Sequence, residues 1–382
     1  MIDTRIWIGV QSLLDNYIQV KQEDIVVLAY APDSSESAAW VTAALQMREV
    51  DVRCLSMVPL RDPGFDQRFR SVLPGVAELA RRLIVLTLER DTMSHDRAIR
   101  AALNDYDQNK CAVFRAISAG EGLFAHALRI SPGELTGRNT ALLERFMVAK
   151  SLRIETAGGT RLRVGIDSSQ YRWISNRGIW RPGHFVILPA GEVATYPASI
   201  EGVFVADFAF NVNAITERDA RLSDHPITVH IERGRAVRYD CEDKETMGFL
   251  TESFDKYCAY NVGELGFGTN MGVTVADALN SHVNERRPGI HLGFGQHNQG
   301  AGFSYECNIH LDLIAKDGIV WVDDATTPIN LEDISPSCGA HPTNSRDEDV
   351  FSPELDDIEI DDCCGVLTSD GLRPFTVGAW AE

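Results

Sequence analysis

Asp24-Ile25-Val26-Val27-Leu28-Ala29-Tyr30 is an unbroken apolar run behind a single charge, the pattern of a strand buried on both faces. Ser34 to Ser37 then offers helix N-caps, Ala38 to Arg48 has helical composition, and Val50 to Val58 reads as the next strand. Strand, helix and strand in that order make a β-α-β unit, with parallel strands and a right-handed crossover. The alternation continues with a helix at 76–82, a strand at 83–88, a helix at 94–104, a strand at 111–117 and helices at 122–129 and 140–150. Residues 1–148 are therefore expected to form an open α/β layer domain. The loop Ala31-Pro32-Asp33-Ser34-Ser35-Glu36 has no glycine, so it carries no dinucleotide or phosphate-loop fingerprint.

From Ser151 the period changes to two. Leu152-Arg153-Ile154-Glu155 and Thr160-Arg161-Leu162-Arg163-Val164 alternate around Gly158-Gly159, as the arms of a hairpin do. Strand-like runs follow at 184–188, 202–208, 227–232, 291–294, 308–314 and 318–322, with one helical window at 245–259. The second domain, 149–382, is thus expected to be α+β and mostly antiparallel. It ends in an acidic segment, since Asp347 to Asp362 carries nine acidic residues and no basic one. That run reads as a solvated surface segment.

With 382 residues the chain is long enough for two cores. A net charge of −19 makes nucleic acid and anionic membrane poor partners. No apolar stretch approaches the roughly 20 residues of a membrane span. The first residues lack the pattern of a signal peptide, so a cytoplasmic location is expected. The eight cysteines form no CxxC pair, and Cys363-Cys364 are expected to be free thiols.

The chemistry concentrates in two echoing stretches. Glu264-Leu265-Gly266-Phe267-Gly268 and His291-Leu292-Gly293-Phe294-Gly295 each begin with a residue that can bind metal, then repeat the same four letters. Ile309-His310-Leu311-Asp312-Leu313 puts an imidazole and a carboxylate two apart on one face of a strand. Leu188-Pro189-Ala190-Gly191-Glu192-Val193 adds a glutamate presented by a turn. Several carboxylates in one pocket repel one another by several kcal/mol, a cost that divalent cations remove. The glycines lie on the ligands' face of each strand and are expected to leave room for metals or substrate. Asp207 is read either as orienting a ligand or as a strand-end cap. His225, His230, His282 and His341, without motif context, are read as surface or structural residues. Cys307 is expected to pack behind the site.

In their order, these pieces resemble the aminopeptidase T family of metallo-aminopeptidases: Leu-Pro-Ala-Gly-Glu-Val, Gly-Glu-Leu-Gly-Phe-Gly-Thr-Asn, Ile-His-Leu-Gly-Phe-Gly and His-Leu-Asp. Ala157-Gly158-Gly159-Thr160-Arg161-Leu162-Arg163-Val164 looks like the start of that family's catalytic domain. The resemblance covers roughly residues 150–325. It implies two divalent ions (Zn, Mn or Co) held by Glu192, Glu264, His291, His310 and Asp312. Glu192 and Glu264 are then the catalytic carboxylates, a metal-bound hydroxide is the nucleophile, and an amide or peptide bond of a peptide or small-molecule substrate is cleaved. It also implies a homodimer. The family places a metal-site tyrosine seven residues after the first histidine. Here that position is Asn298, preceded by His297, with Tyr305 or Tyr196 as candidates for the tyrosine's role; His297, Asn298 and Tyr305 are assigned to the surroundings of the site or to substrate contact.

A second group, the 2,5-dihydroxypyridine 5,6-dioxygenases, looks like the same superfamily. Its resemblance implies one Fe(II) held by two histidines and an aspartate, and opening of a hydroxylated N-heterocycle. Its His-x-Asp corresponds to His310 and Asp312, and its other histidine falls where this chain has Glu264. His291, His310 and Asp312 would supply the same donor set. A degenerate member that binds a ligand without catalysis is the third reading.

Overall fold

The fold is described from a computed structural model, for residues 3–79, 81–90, 93–299, 305–342, 365–368 and 371–374. The acidic run and Cys363-Cys364 lie outside the described residues, apart from the strand that follows them.

The opening β-α-β reading corresponds to β1 (Ile25–Tyr30), α2 (Ser35–Gln46) and β2 (Asp51–Ser56), preceded by α1 (Thr4–Ser12). β3 (Leu83–Leu88) and β4 (Cys111–Ala116) complete the alternation, with α3 (Phe65–Val72) and α4 (Asp96–Leu103) between strands. All neighbouring pairs are parallel, in the order β2-β1-β3-β4. α3 escaped the sequence reading. Its Phe65 and Phe69, four apart, are both fully covered, while the expected helix at 76–82 is a single 3-10 turn at Val76–Glu78. α5 (Glu121–Ala125) and α6 (Pro132–Phe146) follow. α6 starts later in the reading than in the molecule: Ser131 and Glu134 form a capping box, with Pro132 in the first turn.

β5 (Ser151–Glu155), β6 (Arg161–Gly165), β7 (Trp173–Asn176) and β8 (Phe185–Leu188) come next. β8 does not join the antiparallel part. It pairs in parallel with β4 and becomes the fifth strand of the first sheet, so the chain crosses back over the expected division at 148. β8 is short and apolar on both faces, which suits the edge of a covered parallel sheet better than a half-exposed antiparallel strand.

The remaining strands are β9 (Glu192–Thr195), β10 (Ser199–Ala206), β11 (Ala209–Val212), β12 (Ala214–Ile215), β13 (Ile227–Glu232), β14 (Arg235–Asp240), β15 (Val262–Gly268), β16 (Gly289–Gly295), β17 (His310–Ile314), β18 (Ile319–Val322), β19 (Ile329–Asn330), β20 (Gly365–Thr368) and β21 (Gly371–Pro374). α7 (Lys244–Ser253) lies between β14 and β15. Two large antiparallel sheets result, β14-β13-β10-β6-β5-β18-β19 and β11-β17-β16-β15-β9-β7, with a small third, β12-β20-β21, in which β12 and β20 are parallel. The two large sheets share one core, where Leu152, Leu162, Phe204 and Val229 of the first meet Leu265, Phe267, Leu292, Phe294, Leu311 and Leu313 of the second. Parallel and antiparallel sheets thus coexist in a mixed α/β and β architecture. Among the described residues, no helix is long and apolar enough to cross a membrane.

Cys307, expected to pack behind the site, is disulfide-bonded to Cys258. The bond closes 49 residues that include β15 and β16. Reduction is therefore expected to lower the melting temperature, with about 4 kcal/mol as a loop-entropy ceiling. Thermal melts with and without reductant, on wild type and Cys307→Ser, check this.

Candidate metal centre

The ligand-bearing face of the six-stranded sheet is the one turned away from that shared core. Alternation along β15, β16 and β17 sends leucines and phenylalanines inward, and sends Glu264, His291, His310 and Asp312 to the opposite face. Register then explains the echoed glycines. Glu192 lies opposite Gly268, and His291 opposite Gly266. Gly293 lies between Glu264 and Asp312, and Gly295 opposite His310. Each candidate ligand therefore faces a glycine on the adjacent strand, in a sheet where opposite Cβ atoms sit about 5 Å apart.

The space beside Gly266 and Gly293 is filled by the ligand side chains themselves and that beside Gly268 and Gly295 by neighbouring backbone, a correction to the expectation of room for metal or substrate. A Cβ on Gly266 would lie 1.9 Å from His291 Nε2. One on Gly293 would lie 2.7 Å from His310 Cε1 and 2.9 Å from Glu264 Cβ.

All five residues expected to bind metal come together. Three groups of ligand atoms, each within 4.8 Å, are formed by Glu192, Glu264 and His291; by Glu264, His310 and Asp312; and by Glu285, His291 and Asp312. His291 Nε2 is 2.9 Å from Glu192 Oε1 and 3.5 Å from Glu264 Oε1. His310 Nε2 is 3.1 Å from Asp312 Oδ1. Yet His291 Nε2, His291 Nδ1 and Asp312 Oδ1 are buried without an aligned hydrogen bond. Close approach without hydrogen-bond alignment is what lone pairs converging on a common cation produce, and the imidazole and carboxylate donors suit a divalent ion. The residues therefore fit a metal.

His310 is oriented from behind. Its Nδ1–H donates to the carbonyl of Gln296 at 3.0 Å, which leaves Nε2 facing the cluster. Asp312 Oδ2 and Glu285 Oε2 are both near Asn211 Nδ2, at 3.4 Å and 3.2 Å. Burial pushes the Asp312 carboxyl up to about 7, further raised by Glu285 and only partly offset by His310. His310 is partly buried, but Asp312 and Glu264 outweigh that and hold its imidazole up at about 10. His291 shifts in the same direction, with Glu192 and Glu264 overcoming its burial. Asp312, His310 and His291 hold protons more tightly than usual, while Arg286 lowers Glu192 and Glu285 against their burial.

Glu192, expected in a turn, is the first residue of β9 and is almost fully buried. α6 fixes its backbone: Asn139 Nδ2 donates to the Glu192 carbonyl at 2.8 Å and to Ser175 Oγ at 2.9 Å. Ser175 shares a 3.0 Å hydrogen bond with His341 Nε2. Burial, with Arg177 and Arg181 nearby, lowers His341 from 6.5 to about 4. An unfolded chain therefore binds a proton here that the folded one refuses, and stability is lost as pH falls from 6.5 towards 4. Urea melts at pH 7 and pH 5 are expected to show that loss in wild type and less of it in His341→Asn.

Four residues of the centre escaped the sequence reading. Glu285 and Arg286 sit in a 3-10 turn (Asn284–Arg286) at the end of the 269–288 connection, which Asn270, Asn280 and Asn284 pin through their side-chain amides. Arg286 Nη1 pairs with Glu192 Oε2 and, at 3.1 Å, with Glu285 Oε1. Asn211 is on β11, opposite Asp312. His282, read as a surface or structural residue, interacts electrostatically with Glu285, Arg286, His310 and Glu192. Its backbone N–H donates to Ser118 Oγ, beyond the end of β4. Nothing in Asn284-Glu285-Arg286-Arg287-Pro288 marked these charges as buried, because no strand or helix period runs through them.

His297 belongs to none of the three ligand groups, and it forms a cluster with Asn298 and Tyr305. His297 Nε2–H donates to the Tyr305 carbonyl and its Nδ1 accepts from Gln299 N–H, so both nitrogens are engaged. Asn298 Oδ1 accepts from Gln299 Nε2 at 2.6 Å, while its own Nδ2 is buried without a partner. Tyr305 donates its hydroxyl to the Gly295 carbonyl. Asp207 accepts from Lys316 N–H at 3.0 Å and pairs with its ammonium at 3.2 Å, which makes it a strand-end tie.

Residues 198–318 match the family described as Crocagin biosynthetic protein CgnE/B, a span that holds Glu264, His291, His310 and Asp312. No curated protein sequence matches the chain. Among solved structures, 2,5-dihydroxypyridine dioxygenase from Pseudomonas putida KT2440 is similar with a TM-score of 0.61 at 14% identity, over 88% of this chain and 99% of that one. Wild-type AmpT from Thermus thermophilus is similar with a TM-score of 0.51 at 15% identity, over 87% of this chain and 99% of that one. This chain shares their fold.

Proposed function

We propose that this protein is a metal-dependent hydrolase of an amide or peptide bond in a small biosynthetic substrate. The observation that carries the reading is the convergence of Glu264, His310 and Asp312, with His291 beside them, where Asp312 Oδ1 and both His291 nitrogens are buried without a hydrogen bond. When bound, a divalent ion supplies a Lewis acid for the substrate carbonyl and an activated water. Glu264, His310 and Asp312 would be the residues that hold it. Gln296 holds His310 in the tautomer that presents Nε2, and Asn211 holds Asp312 and Glu285 in register. The partly exposed His282 imidazole is available to meet the substrate. The matched family is named for crocagin biosynthesis, which favours one pathway substrate over general peptide turnover.

A second reading has its own support. Arg286 engages Glu192, which leaves His291, His310 and Asp312 as a two-histidine, one-carboxylate set of the kind that holds Fe(II) in oxygenases. The two separate by oxygen dependence. Turnover of peptide and amide substrates under argon, with Zn, Mn or Co restored to stripped protein, is expected. Oxygen consumption stoichiometric with product, dependent on Fe(II) and absent under argon, would replace the hydrolase with the oxygenase.

A further inference from the structure

Arg286 is almost fully buried in the middle of the acidic cluster. Its guanidinium stays protonated at any working pH, and its Nε–H is anchored on the Pro189 carbonyl at 3.0 Å, so the fork is fixed in direction. That fork pairs with Glu192, a member of the first ligand group, and with Glu285, a member of the third. Among the described residues, the group Glu264, His310 and Asp312 is the one with no member paired to Arg286. A divalent ion in either of the other groups would compete with a buried, anchored positive charge for the same carboxylate.

From this we infer that Arg286 is a built-in cation filling one half of the centre. The protein then takes one divalent ion, at Glu264, His310 and Asp312, where the resemblance implies two. The inference rests on the metal-centre reading above and narrows it. Glu192 becomes a positioning residue that acts through Arg286, and does not ligate. A centre with three protein ligands keeps open positions, which both hydrolytic and oxidative chemistry require.

Mn(II) uptake by the stripped full-length chain tests this, read by equilibrium dialysis with elemental analysis. Wild type is expected to bind one ion per chain. Arg286→Met is expected to bind two, because Glu192 and Glu285 are released. Glu192→Gln is expected to stay at one, with its dissociation constant within about threefold of wild type, and this variant decides the matter if Arg286→Met does not fold. Two ions in wild type, one in folded Arg286→Met, or a Glu192→Gln affinity weakened tenfold or more would overturn the inference while leaving the metal centre standing. No uptake by wild type would remove the metal centre, and the inference with it.

Discussion

His310→Ala is expected to abolish metal binding and to lower turnover by more than ~100-fold, beyond the range seen for residues that only orient a ligand. The imidazole does two things here. Its Nε2 is one of three donors in the group free of Arg286, with the ring held by Gln296. Its raised proton affinity also offsets the charge of Asp312 and Glu264 when the donors share protons. Alanine removes both. The metal-free variant is thus expected to be less stable than metal-free wild type, because two neighbouring carboxylates, Asp312 and Glu264, lose a compensating charge. Elemental analysis, turnover and urea melts of the stripped proteins check the three parts separately. A His310→Ala protein that keeps its metal and activity would end the site assignment.

Gly266→Ala should be nearly as damaging, although it removes no functional group. The added methyl would overlap the His291 imidazole, 1.9 Å from Nε2 and 2.3 Å from Cε1. Both residues lie in the middle of the six-stranded sheet, so neither backbone can withdraw without breaking the β15–β16 ladder. His291 must leave its rotamer, and overpacking at such a site costs about 1–3 kcal/mol. Gly293→Ala acts on the other group, pressing on His310, Glu264 and Asp312 together. Metal affinity is expected to drop by at least ~10-fold in Gly293→Ala, in line with disturbing ligand orientation, whereas Gly266→Ala is expected to act mainly on stability. Gly248→Ala is the matched control. It lies in α7 with nothing within 4 Å of the added methyl, and is expected to be neutral or slightly stabilising. Equal metal affinity in Gly293→Ala and Gly248→Ala, or equal urea midpoints in Gly266→Ala and Gly248→Ala, would contradict the account of why these glycines recur.

These glycines show how far the sequence could be read. The repeated Leu-Gly-Phe-Gly was visible, and strand periodicity correctly put the ligands and glycines on one face. The strand-to-strand register was not visible, because it depends on the bulge between Val262 and Glu264 and on which strands become neighbours. The glycines were therefore given to metal or substrate, when Gly266 and Gly293 accommodate ligand side chains from the next strand and Gly268 and Gly295 accommodate neighbouring backbone. β1 to β4 were readable because a parallel sheet buries both faces and leaves long apolar runs. β8 has the same character but lies far along the chain, among alternating strands, and its pairing with β4 is a tertiary choice. Glu285, Arg286 and His282 belong to an irregular connection held by asparagine side chains. Without a period, burial there has no signature in the sequence. Arg286 in particular reads as one more surface arginine until its distances to Glu192 and Glu285 are known.

The central claim is that Glu264, His310 and Asp312 hold a metal ion. Crystals of the wild-type protein grown with Zn(II), with diffraction data collected on both sides of the zinc absorption edge, test it most directly. The account predicts an anomalous peak bonded to His310 Nε2 at about 2.0–2.1 Å and to carboxylate oxygens of Glu264 and Asp312. A map with no peak in this cluster, or with the ion bound elsewhere while these donors stay paired with one another, would contradict it.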